Sequence, residues 1–246
     1  MADELEAAKA AAARHAVAKY VRPAQRLALG TGSTAQHAVR AIAALHPKTP
    51  FECVASSLAT EELAQSLGLA VRPLRPGDRF DLMLDGADEV TPDLALTKGG
   101  GGALLREKLL AHLSRRLVIL VDPTKLVDGL GTRSPIPVEI VPFARPVLAP
   151  ELAEGGYAVA LREWQPGQPV LTDNGNEILD LRPARPIADP AAAARRLRAH
   201  VGVVETGIFV RMAHRVVIGH PDGRVEERSR SRARPAGGTA PGASAF

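Results

Sequence analysis

Along the first half of the chain, short apolar runs alternate with longer amphipathic stretches. Arg26 to Gly30, Phe51 to Ala55, Leu69 to Arg72, Phe80 to Leu84 and the fully apolar Leu117 to Val121 read as strands. Between them, residues 3–20, 35–45, 59–67 and 103–113 read as helices. The first is Ala-rich, carries Leu5, Ala8, Ala12 and Val17 at one-face spacing, and ends before Pro23. This alternation predicts an α/β fold: a Rossmann-like, largely parallel sheet covered by helices.

The pattern changes after Gly131. Pro135 to Pro142 is a Pro-punctuated strand, Pro150 to Gly155 the end of a helix, and Val170 to Leu181 reads as two strands around an Asn174-Gly175 turn. Residues 190–199 read as a helix that starts at Pro190, with Asp189 as its N-cap. These features predict a second, smaller α+β domain over 132–203. Residues 1–131 together with 204–223 are expected to form the larger, Rossmann-like domain, because Phe209 to Gly219 supplies apolar strand material that could return to it. Residues 224–246, rich in Arg, Ser, Pro, Gly and Ala, are expected to be disordered.

Composition narrows the function classes. Aromatic residues make up only 3% of the 246, which argues against stacking platforms for bases. The net charge of +4 is concentrated from Arg224 onward, where five Arg stand against two Glu, so no basic face for nucleic acid is expected. Cys53, the only cysteine, excludes an intramolecular disulfide and reads as a buried thiol. The acidic N-terminus lacks a signal-peptide apolar region, and no window approaches the ~20 apolar residues of a membrane span. A cytoplasmic protein without a membrane partner is expected. The seven His show no metal-ligand spacing, and no metal site is expected.

Candidate chemistry collects at the ends of the predicted strands, where open α/β sheets bind their ligands. Gly30-Thr31-Gly32-Ser33-Thr34 joins a strand to a helix; its glycines let backbone approach an anion and its hydroxyls and amides can hold one. The same turn could be an ordinary glycine connection. Ser56 could line the crevice, whereas Ser57 reads as a helix cap. Asp85 and Asp88 could be turn and cap residues, but they stand near Lys98 and the run Gly99 to Gly102. Glycines before a helix weaken it unless backbone must pass close to something. Lys98 can neutralise a phosphate or a developing oxyanion. Glu107, between Arg106 and Lys108, could face either the crevice or solvent.

The ordered series Gly30-Thr-Gly-Ser-Thr34, Asp85-Gly-Ala-Asp-Glu89, Lys98 to Lys108, Asp122-Pro-Thr-Lys125, Pro137-Val-Glu139 and Thr172-Asp-Asn-Gly-Asn176 resembles ribose-5-phosphate isomerase, type A. The resemblance runs over about 3–223 and implies isomerisation between D-ribose 5-phosphate and D-ribulose 5-phosphate without metal or organic cofactor. It implies Glu107 as the base, Asp85 and Asp88 as catalytic contacts to sugar hydroxyls, and Lys98 with the glycine amides on the oxygen that becomes anionic. Thr31, Gly32, Ser33, Thr34, Gly86, Ala87, Gly99, Gly100, Gly101 and Lys125 follow as substrate contacts. A first-helix lysine is also implied; Lys9 is the nearest, but its register is ambiguous and it is left out. A homodimer or homotetramer is expected. A regulator's sugar-phosphate sensor domain would keep the phosphate loop without needing the base. An amino-sugar phosphate deaminase or a lactonase would use a histidine, and none lies between 85 and 107.

Overall fold

A computed structural model describes residues 2–230. The main sheet has six strands: β1 (Arg26–Leu29), β2 (Glu52–Ala55), β3 (Leu82–Gly86), β6 (Leu117–Val121), β14 (Arg215–Gly219) and β15 (Val225–Ser229). Their order is β15-β14-β6-β3-β1-β2, parallel throughout except for β15 against β14. The fold class expected from the alternation is therefore present. All five residues of β6 are buried, because helices cover both faces of the sheet.

One face is covered by α1 (Ala2–Tyr20) and α2 (Ser33–Leu45), and α3 (Leu58–Ser66) packs at its edge. The small side chains Ala8 and Ala12 let α1 lie directly on β14: a Cβ on Gly219 would come within 2.0 Å of the Ala8 carbonyl oxygen. Beneath the other face, Leu110 and Ala111 of α4 (Leu104–Leu113) pack with Phe80, Met83, Ile119 and Phe209. There β4 (Glu89–Val90), β5 (Leu96–Thr97) and β13 (Ile208–Phe209) form a small antiparallel sheet.

A four-stranded antiparallel sheet, ordered β12-β7-β11-β8, stands apart from the first. It comprises β7 (Ile136–Ile140), β8 (Tyr157–Leu161), β11 (Glu177–Pro183) and β12 (Val203–Thr206). It buries its apolar face against α5 (Arg145–Glu154) and α6 (Pro190–Arg198), whose N-cap Asp189 accepts from Ala192 N–H. A short hairpin of β9 (Glu163–Gln165) and β10 (Gln168–Pro169) follows β8. No helix among the described residues is long and apolar enough to cross a membrane.

Three local expectations need correction. Leu69 to Arg72 makes only an isolated bridge, Val71 to Cys53, rather than a strand. Residues 170–176 do not pair with β11; Thr172, Asn174 and Asn176 instead direct their side chains onto Glu139 Oε1, which bends the segment into a turn. The expected disorder from Arg224 begins too early, since Val225–Ser229 pairs along its whole length with β14. Glu227 on that strand accepts from Lys19 and Tyr20 and contacts His15, tying the sheet edge to α1. The rest of that expected tail, 231–246, lies outside the described residues.

Candidate active site

The site lies at the carboxyl ends of β1, β3 and β5. At the end of β3, Asp85 is fully buried, and Lys98 after β5 and Glu107 in the first turn of α4 are 2% and 3% exposed. Lys98 Nζ lies 2.9 Å from Asp85 Oδ2 and 3.3 Å from Glu107 Oε1, and donates to the Gly86 carbonyl at 2.8 Å. One ammonium thus stands between two buried carboxylates. The backbone of Lys98 is held in turn, its N–H donating to Gly207 O at 2.8 Å. A Cβ on Gly207 would come within 2.2 Å of the Lys98 carbonyl oxygen, so only glycine fits.

Asp85 Oδ1 accepts from the N–H groups of Gly86 (2.8 Å) and Thr31 (3.1 Å), which couples the central strand to the Gly30–Thr34 turn. A Cβ on Gly30 would overlap Asp85 itself, at 2.1 Å from Oδ1. Gly32, at φ 100°, sits at the N-cap of α2 without a side-chain cap. The first turn of that helix thus begins beside the cleft with its N–H groups uncapped by a side chain, an arrangement suited to an anion. Thr31 Oγ1 donates to Ser57 Oγ and shares a hydrogen bond with Ser56 Oγ. Ser57 also caps α3 by accepting from Thr60 N–H.

The cleft has a volume of about 100 Å³. Its walls include the Thr31–Thr34 turn, Gly86 to Asp88, Lys98 to Gly101, Glu107 and Lys125. Asp88 stands on the wall and accepts from Gly100 N–H at 2.8 Å. Lys125 comes from a short 3-10 turn that Asp122 caps through Thr124 N–H. Lys9 of α1 also reaches the rim, its ammonium donating to Ser33 Oγ at 3.0 Å.

Burial sets the electrostatics. It pushes the Glu107 carboxyl up to about 8, against the pull of Lys98 and with help from the charges of Asp85 and Asp88. Asp85 is also pushed up by burial, opposed chiefly by Lys98. Burial disfavours the Lys98 ammonium, but Asp85 and Glu107 outweigh it and hold its pKa above the ordinary lysine value. Glu107 Oε2 is buried and has no hydrogen-bond partner among the described residues. A carboxylate so placed is poised to take a proton from something bound in the cleft.

Residues 52–223 match the family model for ribose 5-phosphate isomerase A (phosphoriboisomerase A). The chain belongs to the ribose-5-phosphate isomerase A family. The ribose-5-phosphate isomerase A of Chloroflexus aurantiacus is 47% identical over 221 residues, 89% of this chain and 92% of that protein. That of Thermomicrobium roseum is 46% identical over 92% of this chain and 96% of its own length. The solved ribose 5-phosphate isomerase of Plasmodium falciparum is 33% identical and superposes with a TM-score of 0.87, covering 93% of this chain and 100% of its own. A D-ribose-5-phosphate isomerase solved in complex with phospho-erythronic acid gives a TM-score of 0.86 at 33% identity, covering 92% of this chain and 99% of that one.

Of the family residues expected from sequence, Thr31 to Thr34, Gly86 to Asp88, Lys98 to Gly101, Glu107 and Lys125 meet in the one cleft. Asp85 is the exception: it does not line the cleft but sits under it, its carboxylate taken up by Lys98, Thr31 and Gly86. Lys9, whose register is ambiguous in the sequence, is present at the rim. The signal that could have found it is one helical face: Lys9 follows buried Ala8 and precedes the buried run Ala11 to Ala13 on the side of α1 turned to α2. Three further family-motif residues serve the scaffold. Buried Glu89 faces away and accepts from the N–H groups of Gly131, Arg133 and Ser134. Glu139 and Asn176 hold the 172–176 turn.

Proposed function

We propose that the chain interconverts D-ribose 5-phosphate and D-ribulose 5-phosphate through an enediolate, with Glu107 as the general base, in the non-oxidative part of the pentose phosphate pathway. The observation that carries this reading is the buried Glu107 carboxylate in the cleft wall, one oxygen unpartnered among the described residues and the other 3.3 Å from the Lys98 ammonium. Family membership over most of the chain supports the same substrate.

In the forward direction Glu107 takes the proton from C2 of the open-chain aldose. The C–H electron pair becomes the C1–C2 double bond, and the carbonyl pair moves onto O1. Lys98 and the amides of the glycine run lie where that oxygen gains charge, and pre-placed donors of this kind are a large share of such catalysis. Glu107 then returns its proton to C1. The O2 hydroxyl proton must pass to O1, and Asp88, the other carboxylate lining the cleft, is assigned that task. Asp85 acts through Lys98 and Thr31 rather than on the sugar. The phosphate is assigned to the start of α2, with Ser33, Thr34, Lys9 and Lys125 around it.

Incubating the purified protein with ribose 5-phosphate in deuterium oxide tests the reading. Ribulose 5-phosphate should form and carry solvent deuterium at C1; a protein that makes no ketose contradicts it. A homodimer or homotetramer is part of the same proposal, supported by Phe143 and Val201, each 94% exposed on the flank of the smaller sheet. Light scattering that finds a monomer would remove that part.

A further inference from the structure

The run Lys98 to Gly102 has one charged side chain and four glycines, so nothing within it fixes which way its peptide planes face. Gly99 and Gly102 sit at φ 104° and 81°. Such a segment can rotate its planes at small steric cost. In this fold a side chain from the other sheet holds it. Arg162, immediately after β8, donates from Nη1 to the Gly99 carbonyl at 2.8 Å and to the Gly100 carbonyl at 3.1 Å. The rest of the guanidinium is clamped by Asp180 on the neighbouring strand β11, with Nε 2.8 Å from Oδ2 and Nη2 on Oδ1. The Arg162 backbone N–H is anchored too, on Ile178 O at 2.9 Å.

In a trans peptide the C=O and the following N–H point in opposite directions. Drawing the Gly99 carbonyl towards Arg162 therefore sends Gly100 N–H the other way, where the cleft-wall residue Asp88 accepts it. The next plane obeys the same rule: with the Gly100 carbonyl on Arg162, Gly101 N–H points away from Arg162. That N–H makes no hydrogen bond to any described residue, although Gly101 lines the site.

We infer that Arg162, braced by Asp180, is a positioning residue for the isomerase reaction: it holds the glycine run so that the Gly101 amide is available to the oxygen that becomes anionic. The smaller sheet thereby contributes to turnover without touching substrate. The inference rests on the proposed isomerase reading.

The test is steady-state kinetics on Arg162→Ala, Arg162→Lys and Asp180→Asn, with melting curves alongside. Loss of a single oxyanion donor lowers kcat by about 10²- to 10³-fold. Arg162→Ala should therefore lose about 10²-fold in kcat, with KM for ribose 5-phosphate changed by less than about threefold. Lysine cannot reproduce the planar fork, so Arg162→Lys should recover only part of the loss. Asp180→Asn, which keeps the guanidinium but loosens its clamp, should fall between and decides the matter if Arg162→Ala does not fold. Inhibition by phospho-erythronic acid supplies a second readout, because its carboxylate carries negative charge as the enediolate does. Its Ki should rise about tenfold in Arg162→Ala and by a smaller factor in Asp180→Asn. Folded variants with wild-type kcat, or with a loss that appears only as raised KM, would overturn the inference alone. A wild type inactive on ribose 5-phosphate would overturn it together with the function on which it rests.

Discussion

Glu107 Oε1 lies 3.3 Å from Lys98 Nζ, and neither residue is more than 3% exposed. Asp85, on the far side of the ammonium at 2.9 Å, makes this a group of three charges with one cation. Such a cluster costs stability when both carboxylates are ionised, and its persistence in the core is understandable if it does chemistry.

Removing the cation should therefore damage both stability and turnover. Lys98→Ala leaves two buried carboxylates unpaired, and breaking a buried pair costs roughly 3–5 kcal/mol. Melting curves should show a large loss at pH 8 that shrinks at pH 5, where the carboxyls can take up protons. Turnover should fall by at least about 10²-fold even where the protein is folded.

The pH dependence follows from the base. As the proposed base Glu107 works ionised, and its pKa near 8 leaves about a tenth of it ionised at pH 7. The kcat/KM profile should rise about tenfold per pH unit up to about 8 and then level off. The same shift has a stability sign. The folded protein holds a proton on Glu107 that the unfolded chain releases near 4.5, so this group's contribution is present below that value and is lost as pH rises through about 8. Glu107→Gln should flatten that fall in Tm.

Two glycines are tied to the site by contact rather than by φ. Gly30→Ala would drive a methyl into Asp85, and Gly207→Ala one into the Lys98 carbonyl. Overpacking of this kind costs roughly 1–3 kcal/mol, and here it would also displace the Asp85–Lys98–Glu107 cluster. Both variants should lose Tm and activity together. A Gly30→Ala enzyme with native kcat would show that Asp85 need not stay where it is.

At the sheet edge, Glu227 gathers Lys19, His15 and Tyr20, which hold its carboxyl down at about 2 although partial burial opposes them. Its folded pKa is depressed, so its contribution is present above 4.5 and lost as pH falls towards 2. Glu227→Gln should lower stability at pH 7 by about 1–3 kcal/mol and by much less at pH 3, as urea denaturation would register.

That strand also marks the limit of sequence reading. The inner strands announced themselves as apolar runs because helices bury both faces of their sheet. Val225–Ser229 has no apolar face to display; it is held by backbone pairing to β14 and by one buried-edge glutamate, neither of which composition can signal. Leu69 to Arg72 failed in the opposite sense, being apolar enough for a strand but finding only one bridge at the outer edge. Within the site, the family motifs located the residues but not their directions. Glu107 sits between two cations in the sequence, and its inward direction is set in the fold, where Arg106 reaches Asn174 and Lys108 reaches Glu205 and Thr206. Asp85 was expected against the sugar, yet full burial places it under Lys98 instead. Arg162 lies 55 or more residues after Lys98, Gly101 and Glu107, and no local pattern connects them.

The most direct measurement is Glu107→Gln, assayed for ketose formation and titrated with ribose 5-phosphate by calorimetry. Removing an essential general base should cut kcat by about 10³-fold or more while Kd stays within about threefold, because the amide keeps the shape of the cleft. A glutamine variant that binds normally and still turns over within tenfold of wild type would contradict the assignment of Glu107 as the base.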